Sequence, residues 1–439
     1  MRLSIRLEAG LLLRTRLFVV LAGVVVLLSA LAGAQGGQLA RAQADAIEAA
    51  RALEVERDAE ALVRAEQIRS GEIDPPWWQS PLNVQAWSYS LIRHVALPPG
   101  DLAGVAIADA DIQPFLFRIN PHPPDRWSNR ASERTPSVAA YGGFDLADVV
   151  LLLTPLLVIV AVASVIRDRN GSERQRLAVV QAGSERTLLL QRLVPRALVV
   201  LAIILAAGLA GVVATRPPLT AETAAGTVTI LLTFGAHALF WIALAAGLIL
   251  AVRPAVATFA GFVSLWFILG VLAPGAVEGM ARIVSPPPSP LSVFASERAE
   301  TVRARMLEED LTRAYAARDS LARDMLLEAL DEDRLLITPT NLLVQDEVDR
   351  RRAEDRDMER HARSQFTGLA QTLSSLSPTL LARRVIYAQA GRGEARRRAF
   401  EAQVAAYHGD LQDTFVPLLM RRATRDAVLL PEPFAFQEP

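Results

Sequence analysis

Five apolar runs punctuate the chain: Leu17–Ala34, Phe144–Ile166, Val194–Thr215, Thr227–Val252 and Ala255–Ala273. Each holds about 18–25 residues, enough for a helix to cross roughly 30 Å of hydrocarbon. They divide the chain into a leader with a first span (1–34), a polar domain (35–143), spans two to five with a short polar segment at 167–193 (144–274), and a second polar domain (275–439). The pattern predicts a mainly α protein, a polytopic membrane bundle of about five spans. The first polar domain reads as mixed and irregular, the second as long helices.

Arginines orient the spans, because short loops carry the topological signal and long ones do not. The 167–193 segment holds Arg167, Arg169, Arg174, Arg176, Arg186 and Arg192 against Asp168, Glu173 and Glu185, and Arg253 marks the turn between the last two runs. On the opposite side, Arg216 is offset by Glu222. The leader, the 167–193 segment and the Arg253 turn are therefore expected in the cytoplasm and both polar domains outside it, in a multi-pass membrane protein. Arg2, Arg6, Arg14 and Arg16 precede the first run, with Leu3, Leu7 and Leu11 at i, i+4 spacing. That spacing suits a helix lying on the lipid surface, and a plain basic leader is the alternative. Ala32-Gly33-Ala34 also fits a secretory cleavage site, whereas the long charged leader favours an uncleaved anchor.

The first polar domain opens with an alanine-rich helix that prolongs the first span to about Arg69. It then turns irregular at Asp74-Pro75-Pro76-Trp77-Trp78 and Asn120-Pro121-His122-Pro123-Pro124. The second begins with the proline-rich linker Ser285–Pro290, followed by helices expected at about Ser296–Leu336 and Asn341–Ser374, and a third from Ser377-Pro378 to about Arg422, broken at Gly391-Arg392-Gly393. Alternating charge such as Asp349–Asp357 reads as a solvated helix face.

Composition removes whole classes of chemistry. A net charge of -1 gives no basic field for nucleic acid. All 46 basic residues are arginine, so no phosphate-loop lysine is present, and the cysteine count of 0 excludes thiolate chemistry. The histidines His94, His122, His237, His361 and His408 show no zinc-ligand spacing, and no Gly-x-Ser-x-Gly elbow occurs. No catalytic, cofactor or metal site is expected in this chain. His237 sits inside the fourth run near Trp241, where an ionisable group marks a functional site by default, although a hydrogen bond across the bundle explains it as well. Thr154-Pro155 is expected to be a kink whose freed carbonyl a neighbouring helix satisfies.

The tetrapeptide Gly-Ser-Glu-Arg occurs twice, at 171–174 and 183–186, inside the short polar segment. Asn170-Gly171 signals a turn, Ser172 an N-cap, and Glu173 suits the positive end of a helix dipole. A short helix Glu173–Ala182 is expected, with Leu177 and Val180 on one side and Arg174 elsewhere. Gly183 stops it in a left-handed conformation, and Ser184 caps the helix that enters the third run. The product is a small stiff knuckle between two membrane helices.

Dispersed motifs along nearly the whole chain resemble the permease subunits of type-2, exporter-like ABC transporters, in a subfamily with two large outer domains. Leu97-Pro98-Pro99 with 108–115 resembles its first outer domain, and Gly143-Phe144-Asp145-Leu146-Ala147 the entry to its second span. Glu173, Leu177 and Gly183 fall where its cytoplasmic coupling segment follows that span. Leu376-Ser377-Pro378, Ala390–Gly393, Arg397, Phe400, Tyr407-His408 and Phe415 follow its second outer domain. The resemblance implies a non-catalytic subunit that moves a substrate using ATP held by a separate ABC ATPase, with a second permease, identical or homologous, and membrane lipid as the other partners. It places the ATPase contact on Ser172, Glu173, Arg174, Arg176, Leu177, Val180, Gly183, Ser184 and Arg192. Two departures stand out. The basic residue after the coupling helix is usually lysine and is here Arg192, and members usually add a span after the segment resembling Leu430–Phe434, so one span fewer or a truncated sequence is expected. The runner-up is a membrane-anchored envelope scaffold; a signalling receptor would need a cytoplasmic output domain that the reading does not provide.

Overall fold

The computed structural model describes residues 2–107, 115–122, 145–168, 173–252, 254–331, 337–421 and 423–438. The expectations that rest on 108–114, 143–144, Asn170, Gly171, Ser172 and Arg253 lie outside the described residues, as do the side chains of Glu173, Arg174, Arg176 and Leu177.

Among the described residues five helices are long and apolar enough to cross a membrane, as an integral membrane protein requires. The leader forms α1 (Arg2–Leu13) and turns at Arg14-Thr15 into α2 (Arg16–Arg69), which has 54 residues. At 1.5 Å per residue α2 runs about 80 Å, so it crosses the bundle and stands beyond it as a stalk. The other spans are α4 (Leu146–Asp168), α6 (Glu185–Thr215), α7 (Ala221–Ala251) and a compound helix of α8 (Ala255–Trp266), a π-helical stretch Phe267–Leu272 and α9 (Ala273–Val284). The knuckle helix α5 (Glu173–Ala182) lies between α4 and α6. The α8–α9 helix thus continues to Val284 where the apolar run alone stopped at Ala273.

The first span is welded to the third by missing side chains. A Cβ added to Gly33 would stand 2.0 Å from the Gly211 carbonyl oxygen, and one on Gly37 2.4 Å from that of Thr215. Backbones approach this closely only where no side chain intervenes. The Ala32-Gly33-Ala34 motif therefore has a packing role, beside its resemblance to a cleavage site. Arg41 donates to the Thr215 carbonyl (3.0 Å) just beyond and caps the distal end of α6.

The two polar segments form one body, where the sequence suggested two domains. The first contributes α3 (Val84–Ser90) and an antiparallel pair, β1 (Arg93–Ala96) with β2 (Leu116–Ile119). The second contributes α10 (Pro290–Arg305), α11 (Glu308–Arg318), α12 (Ser320–Asp331), α13 (Ile337–Arg351), α14 (Ala353–Ser374), α15 (Pro378–Gln389) and α16 (Glu394–Met420). Val95 and Ile119 share a core with Phe400, Val404, Leu411 and Phe434, while Val84, Trp87 and Leu91 share another with Phe415, Leu419 and Met420. Buried Arg93 joins all three parts, donating to Asp58 of the stalk (3.0 Å) and to the Pro431 carbonyl (3.1 Å). The long charged helices are also shorter than expected, broken at Met306-Leu307, Asp319 and Arg352.

A further correction concerns α14 and α15, which do not stay outside the bundle. The α14–α15 hairpin descends along α9 and returns along α7 and α4. Its tip is tied at Ser377, whose hydroxyl donates to the Leu269 carbonyl at 2.8 Å. Leu269 is the fifteenth residue of the 30-residue span Ala255–Val284, so the tip stands near mid-height of the bundle. The return helix is held by polar contacts: Tyr387 donates to Asp145 (3.0 Å), and Arg383 donates to Tyr387 (2.8 Å) and Asp148 (3.4 Å).

Overpacking in a close-packed interior costs about 1–3 kcal/mol, and more when backbone must move. Gly33→Val should therefore abolish a monodisperse, heat-resistant species in detergent, whereas Gly23→Val, where an added Cβ meets nothing within 4 Å, should be tolerated. In the outer body, His122 stacks on Tyr89 (ring centroids 4.1 Å apart) and its Nε2 pairs with the Ser88 hydroxyl (2.9 Å). Burial depresses its pKa from 6.5 to about 4. The unfolded chain then binds a proton that the folded chain refuses, so stability is full above about pH 6.5, falls between there and pH 4, and levels off below. The span of the shift corresponds to at most about 3 kcal/mol. Thermal melts across this range should flatten in His122→Gln.

Candidate functional site

The candidate site lies at the end of the bundle that carries the leader. There α5 forms the expected ten-residue helix, and the glycine stop is as read: Gly183 has φ 77 and its N–H donates to the Val180 carbonyl (3.3 Å). The Ser184 hydroxyl accepts from the Thr187 N–H (3.1 Å) and starts α6. Two residues thus separate the knuckle from a 31-residue membrane helix, which makes the joint short and directional. Val180 is 79% exposed at the end of α5. A bare valine on a stiff projecting helix is surface a partner can cover.

The leader supplies a part the motif reading missed. α1 packs against α6 with Leu12 buried, while Leu7 and Leu11 stay exposed, as a helix lying on a lipid surface would leave them. Its Glu8 meets both arginines of the α6 base. Arg192 Nε donates to Glu8 Oε1 (3.3 Å); Arg196 donates to Glu8 Oε2 from Nε (3.0 Å) and Nη2 (2.7 Å). Arg196 is only 4% exposed, and its Nη1 donates to the Ala161 carbonyl and the Ser164 hydroxyl of α4, both at 2.7 Å. One guanidinium therefore pins α1, α4 and α6 together about three turns along α6 from the knuckle's exit. A sequence signal existed: Glu8 is the sole acid before Asp45 in a leader otherwise basic. Arg192, expected to face a partner, is turned to the leader instead.

His237 belongs to a different place, the middle of α7. Its Nε2 lies 3.1 Å from the Leu151 carbonyl oxygen of α4 and 3.1 Å from the Trp241 indole nitrogen. Leu151 is four residues before Pro155, whose missing N–H leaves that carbonyl without its helical donor. With its proton on Nε2 the imidazole donates to that carbonyl and the Trp241 indole only abuts the ring, so the expected cross-bundle hydrogen bond answers the donor lost at Pro155. No group of three or more metal-ligating side chains is found among the described residues.

Breaking a buried ion pair by removing one partner costs about 3–5 kcal/mol, mostly from the charge left behind. Glu8→Ala should loosen the leader and lower the melting temperature in detergent, and Arg196→Met should do the same. In the double variant no charge is stranded, and its loss should be clearly smaller than the sum of the two, a coupling that a double-mutant cycle reads directly.

Residues 298–437, from within α10 through the closing segment, match the model of a domain of unknown function, DUF3526. No curated protein and no solved structure matches the chain.

Proposed function

We propose that this chain is the non-catalytic membrane subunit of an ABC-type transporter in the cytoplasmic membrane of a bacterium. ATP is hydrolysed by a separate subunit that docks beneath α5, and the bundle pairs with a second permease, identical or homologous. The observation that carries this reading is α5 itself: a short helix bracketed by two spans, stopped by Gly183, restarted by Ser184 and fixed within a few residues to α6. A motor can move membrane helices only through a part that it grips and that is stiffly joined to them. The clamp of Glu8 on Arg192 and Arg196 adds the stiffness, since it prevents α6 from sliding against α4 and the leader. The arginine content of the same end supports placing it in the cytoplasm.

Val180→Asp puts a charge where the motor would pack, and Gly183→Val forces a β-branched residue into the left-handed region, which it strongly disfavours. Both variants should fold, since neither site is buried. Reconstituted with the ABC ATPase that the proposal requires, identified by co-purification with the parent chain, the Val180→Asp protein should retain the motor at least about tenfold less well, equivalent to about 1.4 kcal/mol. Gly183→Val should bind it but stimulate hydrolysis less. Equal retention and equal stimulation by both variants would reduce α5 to a connection and remove the basis of the proposal.

A further inference from the structure

The exposed face of α14 is polar at a depth where lipid would be expected. His361, Ser364, Gln365, Gly368, Thr372 and Ser375 recur at i, i+3, i+4, i+7, i+11 and i+14, and all six are exposed. The other side of the helix, with Phe366, Leu369, Ala370 and Leu373, is half-buried in the hairpin's packing along α9. The hairpin tip sits at mid-height, tied to Leu269. Gln365 is ten residues above Ser375, about 15 Å along the helix, so the stripe from Gln365 to Ser375 occupies about the outer half of the hydrocarbon depth.

Thr372 and Ser375 return their hydroxyl protons to their own helix, donating to the Gly368 carbonyl (2.9 Å) and the Thr372 carbonyl (2.6 Å), and so tolerate a dry setting. Gln365 pairs with His361 on the same helix (2.9 Å), both side chains exposed, whereas Arg384 has no such partner on its own helix among the described residues. Arg384 stands on α15 about 10 Å above the tip, exposed, and its Nη2 reaches sideways and downward to Gln371 Oε1 at 3.5 Å, away from the outer surface. A guanidinium at the bilayer centre costs about 2.5–3.5 kcal/mol or more in lipid, and one about 10 Å off it still favours water or protein around it. Irregular or polar chain at membrane depth is tolerated where it lines water or is buried in protein, and here the stripe is uncovered.

We infer that the α14–α15 hairpin lines a water-filled funnel, open to the side of the outer body and floored at the level of Ser377 and His237, and that the cargo of this permease is a water-soluble, hydrogen-bonding solute. The word cargo rests on the transporter reading; the water does not. The funnel ends where the tip closes on Leu269, so the hairpin is both its wall and its floor.

The absence of native cysteine makes the test direct. Single cysteines replace Gln365, Gly368 and Thr372 on the stripe, Leu209 and Leu232 on exposed apolar faces of α6 and α7 at similar depth, and Arg360 beyond the bundle. A charged, membrane-impermeant thiol reagent is added to the outer face of intact cells. The three stripe positions should react within about tenfold of Arg360→Cys, and the two controls at least about a hundredfold more slowly, because a charged reagent does not partition into hydrocarbon. Stripe cysteines as slow as the controls, yet modified by lipid-permeant N-ethylmaleimide, would overturn the funnel, whether lipid or a second copy of the chain covers that face. The ATPase plays no part in the labelling, so motor docking can fail while the funnel stands, and the funnel can fail while the motor still docks.

Discussion

Inside a membrane bundle a backbone carbonyl without a donor has no water to turn to, and two prolines create that problem at one level of this structure. Pro155 removes the donor for Leu151, and His237 supplies one from α7. In the α8–α9 helix the π register pairs the Ala273 N–H with the Ile268 carbonyl, so the next donor in line, for Leu269, would be Pro274, which has none. Ser377 at the tip of the hairpin supplies it. Each unsatisfied group in hydrocarbon would cost several kcal/mol, so these two bonds fix what lies at mid-height. They bring α4, α7, α8–α9 and the re-entrant hairpin to a common plane, and Pro378 sets the first turn of α15 there, where a missing N–H costs nothing.

Two coupled ends follow. At one end Arg196 joins α1, α4 and α6 beneath the knuckle; at the other, Tyr387 and Arg383 join α15 to Asp145 and Asp148 at the start of α4. The helix α4 is therefore held at both extremities and at Leu151 between them. Pro155, which removes one hydrogen bond from the ladder, lies between those two ends.

The spans, the knuckle with its glycine stop and serine cap, and the proline of α4 were legible because they depend on local rules: hydropathy over about twenty residues, the left-handed freedom of glycine, and the missing N–H of proline. The hairpin was not. α14 reads as a charged, solvated helix through residue 363, and α15 carries Arg383 and Arg384, so neither resembles an element that enters a bundle. Its position is set by Ser377, Tyr387 and Leu269, contacts between residues more than a hundred positions apart in the two tying bonds. Glu8 was overlooked for a similar reason: a single acid among arginines looks like a minor compensation until Arg196 is seen to be buried. The fusion of the two outer segments into one body likewise depends on Arg93 and the shared cores, which pair residues 95 and 119 with residues 400–434.

The claim on which the account turns is that α5 is the surface a motor grips. A photoreactive amino acid placed at Val180, activated in native membranes, reads that contact without disturbing the helix. The account predicts a covalent adduct with the nucleotide-binding ATPase at Val180 and none at Leu219, exposed at the opposite end of the bundle. An ATPase that purifies with the chain but never cross-links from Val180, or cross-links from Leu219, would contradict it.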